Sequence, residues 1–217
     1  MKNLINVFIM LVATFAAGNA QLFVEGNARV TYRDYEIANF NNQFTQFSIE
    51  ISPKAGYWLT DHIAVGSNVS YSIGKAKTVN NNPDSDGVFE DIRSEYGFSV
   101  FSRYKIQMPK RFSLLFESSL GVRRNIQKGK NIKDEIARKV STTSLVNVII
   151  FPAISYDLSD RFSLVASCES LSFGLGFGNT KIENTGQKLR NNNIGFNTQS
   201  TIFNSISNIQ LGFIYNF

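Results

Sequence analysis

The sequence has few of the residues on which catalytic and metal sites most often depend. Its 217 residues include one cysteine, Cys168, and one histidine, His62. A single cysteine excludes an internal disulfide framework, and Cys168 lies far from the N terminus, so it is not a lipoprotein cysteine. One histidine leaves a Ser/His site with a single candidate base, and no cluster has the spacing of zinc ligands. We therefore expect no metal, no cofactor and no enzymatic activity.

Long apolar runs are also missing. The longest uninterrupted run after the N-terminal segment covers residues 148–154, with Pro152 inside it. A membrane-spanning helix needs about 20 such residues. At the N terminus, Lys2 precedes an apolar stretch over residues 4–17 and small residues at 18–20. This pattern is typical of a secretory signal peptide. We expect residues 1–20 to be cleaved and residues 21–217 to form one exported domain.

Aromatic and charged residues are both plentiful. There are 19 Phe, 8 Tyr, 22 Lys and Arg, and 17 Asp and Glu, with a mean hydropathy of −0.11. Strands with one apolar and one polar face produce this mixture. Residues 209–217 alternate strictly, and only Ile214 breaks the polar face. The apolar face of this last stretch is formed by Ile209, Leu211, Phe213, Tyr215 and Phe217.

The same alternation recurs along the chain and predicts eight strands. They cover residues 21–33, 44–59, 63–74, 94–106, 112–123, 145–158, 162–173 and 201–217. Turn-forming residues predict short turns near 61, 110 and 160 and long loops at 75–93, 124–143 and 175–200. An even number of strands lets the first pair antiparallel with the last. We therefore expect an all-β, eight-stranded, antiparallel, up-and-down transmembrane barrel.

Internal repeats support these hairpins. The pattern Ile-x-Pro-x-x-x-Tyr-x-Leu-x-Asp begins at Ile51 and again at Ile150, and Arg-Phe-Ser-Leu begins at Arg111 and again at Arg161. Repeat distances near fifty and one hundred residues fit a unit of strand, tight turn, strand and long loop.

Three positions disturb the pattern. In strand seven, Phe162 and Leu164 share one parity while Leu171 and Phe173 share the other, which predicts a β-bulge. The repeated prolines, Pro53 and Pro152, interrupt strands, and a bulge is one interpretation of them.

The ordered set of features resembles the small outer-membrane β-barrel family that includes OmpX, OmpW and the membrane domain of OmpA, and most of all its Bacteroidetes-type members. The features are the signal peptide, the strand-and-turn units, Phe101-Ser102-Arg103-Tyr104 and the terminal L-G-F-I-Y-N-F. The resemblance implies residence in the outer membrane and recognition of the terminal strand by the barrel-assembly machinery. It assigns the insertion signal to Leu211, Phe213, Tyr215 and Phe217. The resemblance does not extend to the peptidoglycan-binding domain of full-length OmpA proteins, so it implies no cell-wall tether.

Parity places charges of both signs on the inward face, among them Glu25, Arg29 and Arg33 of the first strand. The candidate lumen residues are Glu50, Lys54, Glu95, Arg103, Lys105, Glu117 and Arg123. In a barrel of this size side chains nearly fill the interior, so the charges must pair. They form either a structural network or the lining of a narrow pore. On the outward face, the aromatic girdle near the tight turns is predicted to contain Tyr57, Trp58, Tyr104, Tyr156 and Phe217.

These features favour a non-enzymatic surface protein with a structural, adhesive or ligand-contact role. Lys128, Lys130 and Lys133 belong to a basic loop that either contacts lipopolysaccharide phosphates or is simply solvated. The alternatives are a small porin-like channel for small or apolar solutes, a lipid A-modifying enzyme, and a soluble lipocalin-like barrel with its apolar face inward. Nucleic acid is not an expected partner, because no binding fold is visible in an exported chain.

Overall fold

The structure is a computed structural model that describes residues 21–37, 42–80, 87–131, 138–168, 171–183, 185–198 and 209–217. These residues form eleven β-segments: β1 (Gln21–Ile37), β2 (Asn42–Ile51), β3 (Lys54–Trp58), β4 (Ile63–Asn80), β5 (Gly87–Gln107), β6 (Phe112–Asn131), β7 (Arg138–Asp157), β8 (Phe162–Cys168), β9 (Leu171–Ile182), β10 (Lys188–Thr198) and β11 (Ile209–Asn216). In these ranges no helix is long and apolar enough to cross a membrane. The predicted signal peptide lies outside them.

The segments make one antiparallel barrel of eight strands. β2 and β3 are consecutive parts of one strand, since both pair with β1 and with β4. β8 and β9 likewise both pair with β7, while β10 pairs with β9 and β11 with β8. β11 also pairs with β1, which closes the ring. The predicted fold class and the predicted pairing of first and last strands are therefore confirmed.

The three tight turns share one geometry. The backbone N–H of Leu59 donates to the carbonyl of Ile63 at 2.7 Å. The N–H groups of Met108 and Leu158 donate to the carbonyls of Phe112 and Phe162, each at 2.9 Å. The predicted turns near 61, 110 and 160 are thus confirmed, and the sequence repeats mark repeated hairpins.

The three long loops predicted at residues 75–93, 124–143 and 175–200 are wrong over most of their length. β4 and β5 remain paired up to Asn80 opposite Gly87, and β6 and β7 up to Gly129 opposite Arg138. β9 and β10 form a further hairpin inside the third predicted loop. The apolar face that reveals a strand in the sequence ends where the membrane ends, but backbone pairing continues into water.

Neither proline marks a bulge. Ile51 faces Ala28 of β1 and Lys54 faces Glu25, so both strands advance three residues across Pro53. Pro152 stays in register opposite Phe116. The bulge interpretation of the two prolines is therefore wrong, and the register of β6 and β7 shifts instead between Gln127 and Lys128.

The irregularity predicted for strand seven is present between β8 and β9. From the pair Ala153–Ser167 to the pair Ile150–Phe173, β7 advances three residues while its neighbour advances six. The odd displacement reverses the faces, because side chains alternate with a period of two. Residues 169 and 170, which connect β8 to β9 in the sequence, lie outside the described ranges.

The barrel has its apolar face outward and its polar face inward, the opposite of a water-soluble barrel. Outward-facing Val30, Phe98, Leu120 and Leu211 are each about half exposed or more, whereas inward-facing charged side chains are buried. Apolar side chains encircle the barrel, and a water-soluble protein does not expose such a surface. The lipocalin-like alternative is therefore wrong, because it requires the opposite polarity.

One member of the predicted aromatic girdle is wrong. Trp58 points into the barrel, where its ring lies 5.6 Å from that of Phe23 and its Nε1 donates to Asn216 Oδ1 at 3.2 Å. Its even position in β3 shares the parity of buried Lys54. The other four predicted girdle residues face outward and are exposed: Tyr57, Tyr104, Tyr156 and Phe217.

A charge on the apolar belt should destabilise the barrel in a depth-dependent way. Leu120 lies within the apolar belt, six residues farther along β6 than Leu114, which lies beside the tight turn. We expect Leu120→Arg to lower the free energy of unfolding in lipid vesicles by about 2–4 kcal/mol and Leu114→Arg by about 0–1 kcal/mol. Denaturant titrations measure both. Equal losses would contradict the depth assigned to these residues.

Candidate functional site in the barrel lumen

An apolar layer fills the lumen near the tight turns. Its buried side chains are Phe23, Ala64, Phe101, Leu115, Ala153, Val165 and Ile214, with Trp58 packed against them. Ile214 is the apolar exception in the last strand, and the structure explains it as a member of this layer. Gly56 and Gly66 face the same space. A Cβ on Gly56 would lie 2.6 Å from the backbone oxygen of Val65 and 2.7 Å from the Phe23 ring, so the neighbouring strand and the ring together require glycine there.

Four charged side chains lie directly on this apolar layer, and we term them the ion quartet: Glu25, Lys54, Arg103 and Glu117. Each is only 3–5% exposed. Two carboxylates and two cations make the quartet electrically neutral. Burial of a charge without a partner is costly, so neutrality is the condition that allows the group to exist in the barrel.

The quartet is connected through both carboxylates. Arg103 Nη2 lies 2.6 Å from a carboxylate oxygen of Glu25 and 2.6 Å from one of Glu117. Lys54 Nζ lies 2.6 Å from Glu117 Oε1 and 3.5 Å from Glu25 Oε1. Asn27 Nδ2 also donates to Glu25 Oε1 at 2.6 Å. Each carboxylate therefore touches both cations.

Aromatic faces complete the surroundings of the two cations. Lys54 Nζ lies 5.4 Å from the ring centroid of Phe101 and 5.5 Å from that of Phe151. The Arg103 guanidinium carbon lies 5.4 Å from the Phe101 centroid and 5.6 Å from that of Phe23. Cation–π attraction is strongest where water is excluded, so these rings hold the quartet on the apolar layer.

The other predicted lumen residues form separate pairs. Farther from the tight turns, Arg123 lies 3.3 Å from Glu95 and Arg29 lies 3.6 Å from Glu50. On the turn side, Lys105 Nζ lies 3.9 Å from Asp157. The structure thus brings Lys54, Arg103 and Glu117 together and places the remaining four elsewhere in the lumen. Glu25, which is predicted to face inward by its parity in the first strand, is the fourth member of the quartet.

Cavities lie on both sides of the quartet. One of about 440 Å³ opens among the tight turns and is bounded by Trp58, Leu115 and Ile214 of the apolar layer. Another, of about 30 Å³, lies on the opposite side beside Lys54 and Glu117. The smaller cavity has room for about one water molecule. The apolar layer and the quartet therefore fill the section of the barrel between them.

The residues of the candidate basic loop do not form a loop in the described part of the chain. Lys128 and Lys130 belong to β6 and share the outward parity of Leu120 and Val122. Lys130 Nζ lies 3.2 Å from Glu90 on β5. Lys133 lies outside the described residues. The assignment of residues 128 and 130 to a loop is wrong, because the strand continues beyond the membrane.

The candidate insertion signal lies on the outward face of the closing strand. Leu211, Phe213 and Phe217 are exposed there. Phe213 stacks on Phe162 with ring centroids 5.8 Å apart, and the Tyr215 and Phe217 rings meet edge to face at 5.0 Å. The N–H of Phe217 donates to the carbonyl of Leu22 at 3.0 Å, which holds the last residue against β1.

The potential catalytic residue His62 lies at an exposed tight turn. Its Nδ1 is 3.1 Å from the backbone oxygen of Lys105. Thr60 Oγ1 accepts the backbone N–H groups of His62 and Ile63 at 3.2 and 3.0 Å, so threonine caps this turn. Among the described residues, no three His, Cys, Asp or Glu side chains are grouped as metal ligands.

An antiparallel eight-stranded barrel with an outward apolar belt and an inward polar face is the architecture of outer-membrane proteins. The chain is an integral outer-membrane β-barrel protein.

The sequence matches no protein-family model and no curated protein. Several solved structures are similar to this chain. The crystal structure of Neisserial surface protein A matches it with a TM-score of 0.41 and 13% sequence identity, and the match covers 92% of this chain and 99% of that chain. The structure of a major outer membrane protein from Thermus thermophilus matches with a TM-score of 0.44 and 13% sequence identity, covering 91% of this chain and 99% of that chain. The structure of Ail, the attachment invasion locus protein of Yersinia pestis, matches with a TM-score of 0.34 and 11% sequence identity, covering 91% of this chain and 97% of that chain. These values are low, so the fold assignment rests on the strand pairing described above.

The quartet should respond to substitution as one unit. Arg103→Met leaves two buried carboxylates with only Lys54, and we expect it to lower the free energy of unfolding by about 3–5 kcal/mol. The double variant Glu25→Gln/Arg103→Met restores neutrality and should be more stable than the sum of the single losses predicts, by about 0.5–3 kcal/mol. A double-mutant cycle from denaturant titrations in vesicles measures this coupling. Strict additivity would show that the quartet is not coupled.

Proposed function

We propose that the protein is a closed, non-enzymatic barrel that acts through the surface it presents outside the outer membrane, in a structural, adhesive or ligand-contact role. The observation that carries this proposal is the filled lumen. The apolar layer and the neutral ion quartet occupy one section of the barrel, and both consist of side chains from the barrel wall. Opening a path for solutes would require breaking short buried ion pairs and separating packed rings.

The extended hairpins supply the surface for contact. Beyond the aromatic pair Tyr71–Tyr96, whose ring centroids are 5.1 Å apart, β4 and β5 continue to residues 80 and 87. β6 and β7 continue in the same direction, and β9 and β10 add a third paired hairpin. Paired strands hold their side chains in fixed positions, and such a surface binds with a smaller loss of conformational entropy than a flexible loop does.

The closed-lumen proposal predicts that the purified protein gives no sustained single-channel steps in planar lipid bilayers. A general porin added to the same bilayer serves as the positive control. Regular steps from the unmodified protein would replace this proposal with the porin-like alternative.

The contact proposal predicts that the hairpins can be shortened without loss of the barrel. Replacing residues 75–92 by Asn-Gly, a turn that suits a two-residue hairpin, should leave heat-modifiable migration on gels intact. Cells that carry only this variant should lose the adhesion or envelope-integrity phenotype that the full chain restores to a deletion strain. A folded variant that restores the phenotype fully would place the function elsewhere in the protein.

We also propose that the signal peptide is removed after residue 20 and that the barrel-assembly machinery recognises the outward face of β11. Deleting Phe217 should reduce the folded, heat-modifiable fraction in membranes several-fold, because the terminal aromatic ring is lost. Phe217→Tyr keeps an aromatic ring at the chain end and serves as the matched control. Equal assembly of the deletion and the parent would contradict the role of this strand as a signal.

A further inference from the structure

Five cations lie together on the outside of the barrel, on four neighbouring strands. We term Arg124, Lys139, Lys181, Lys188 and Arg190 the outer cation cluster. Arg124 shares the outward parity of Val122 on β6, and Lys181 shares that of exposed Phe177 on β9. Arg190 faces Asn179, which is also on the outward side of β9. Lys139 faces outward-pointing Lys128.

The cluster lines a concave surface. A cavity of about 600 Å³ is bounded by all five cations, with Thr142, Ser144 and Asn179 between them as neutral hydrogen-bonding groups. One carboxylate, Glu183, lies in the same wall, 3.0 Å from Lys139 and 3.0 Å from Lys181. Five positive charges and one negative charge leave a net charge of +4, so this cavity is suited to a ligand that carries more than one negative charge.

Like charges face each other across this surface. Lys181 is directly opposite Lys188 in the β9–β10 pair, and Lys128 is directly opposite Lys139 in the β6–β7 pair. Like charges at directly opposed positions on one face of an antiparallel pair are destabilising. Glu183 contacts one lysine of each pair, Lys181 and Lys139, and a bound anion would reduce the repulsion that remains. This arrangement of like charges supports an anionic ligand independently of the shape of the cavity.

The height of the cluster relative to the membrane restricts what the ligand is. Three residues of the cavity wall are each two positions from an exposed apolar side chain of the belt. Arg124 follows Val122, Asn179 follows Phe177, and Ser144 precedes Val146. Two residues of a strand span about 7 Å, so the cluster lies at the level of lipid head groups. It is on the side away from the tight turns, which is the outer leaflet if those turns are periplasmic.

We infer that the outer cation cluster binds the phosphate groups of lipid A, the membrane anchor of lipopolysaccharide, against the outside of the barrel. This inference rests on the proposed outer-membrane orientation. Arginine binds phosphate through paired N–H groups and lysine through a point charge. The acyl chains of the same molecule would lie against Val122, Val146 and Phe177. A head group with phosphates at both ends of a disaccharide can reach cations on four strands, whereas phosphatidylethanolamine and phosphatidylglycerol each carry one phosphate.

Glu183 provides a variant that should strengthen binding. Hydrogen bonds from Lys139 and Lys181 hold the pKa of the Glu183 carboxyl below its usual range, so the group is ionised at neutral pH. An ionised carboxylate occupies two of the cations and repels phosphate. Removal of this charge by Glu183→Gln should therefore increase affinity, and glutamine keeps the size of the side chain and can still hydrogen-bond.

The test uses the mature protein in phosphatidylcholine nanodiscs, titrated with bisphosphorylated lipid A and followed by native mass spectrometry. We expect Lys181→Gln/Lys188→Gln to bind lipid A about tenfold or more weakly and Glu183→Gln to bind it at least about twofold more tightly. Lys110→Gln/Arg161→Gln removes the same charge from two tight turns and should bind like the parent. Heat-modifiable migration shows which variants are folded.

Three results would overturn the inference. One is parent-like binding by the folded Lys181→Gln/Lys188→Gln variant. Another is equal loss in the tight-turn control, which would indicate a general charge effect. The last is equal affinity for phosphatidylglycerol or for inorganic phosphate, which would assign the cluster to anions in general. If the double variant does not fold, unchanged binding by Glu183→Gln overturns the inference alone. Failure here leaves the closed-lumen proposal intact, because conductance is measured without lipid A.

Discussion

The structure depends on backbone hydrogen bonding in lipid. Inside a bilayer no water can satisfy an N–H or C=O group, so a sheet must close on itself. β11 closes this sheet by pairing with β1 on one side and β8 on the other. Closure also fixes which side chains face lipid and which face the lumen, because neighbouring residues of a strand point in opposite directions. The polarity of every later feature follows from this constraint.

The small circumference of the barrel gives the lumen its chemistry. Eight strands enclose a space that side chains nearly fill, so inward-facing charges are buried and must be neutralised by one another. The quartet meets this requirement by placing both cations against both carboxylates and against aromatic faces. The residue types on the outward face change along the barrel axis. Apolar side chains face the membrane, and an excess of cations over carboxylates follows where the β6–β7 and β9–β10 hairpins leave it.

Alternation in the sequence was sufficient to predict the strand count, the tight turns and the side on which most residues lie. It was insufficient wherever a strand lost its apolar face without losing its partner. Lys75, Lys128 and Lys188 read as loop residues, yet they lie on paired strands, since cross-strand hydrogen bonds do not require apolar side chains. Trp58 faces inward, because its place in the alternation sets its side and its aromatic character does not. The prolines suggested bulges, but the register on both sides of each shows none.

The sequence by itself determined the class of protein, because strands that alternate between an apolar and a polar face with a period of two are local properties of the chain. It also determined that the lumen is charged. Only the tertiary structure decided which charges meet. Glu25 and Arg103 are 78 residues apart, and the strand register sets their distance. The outer cation cluster was decided in the same way, since its members come from four strands that become neighbours only when the sheet is formed.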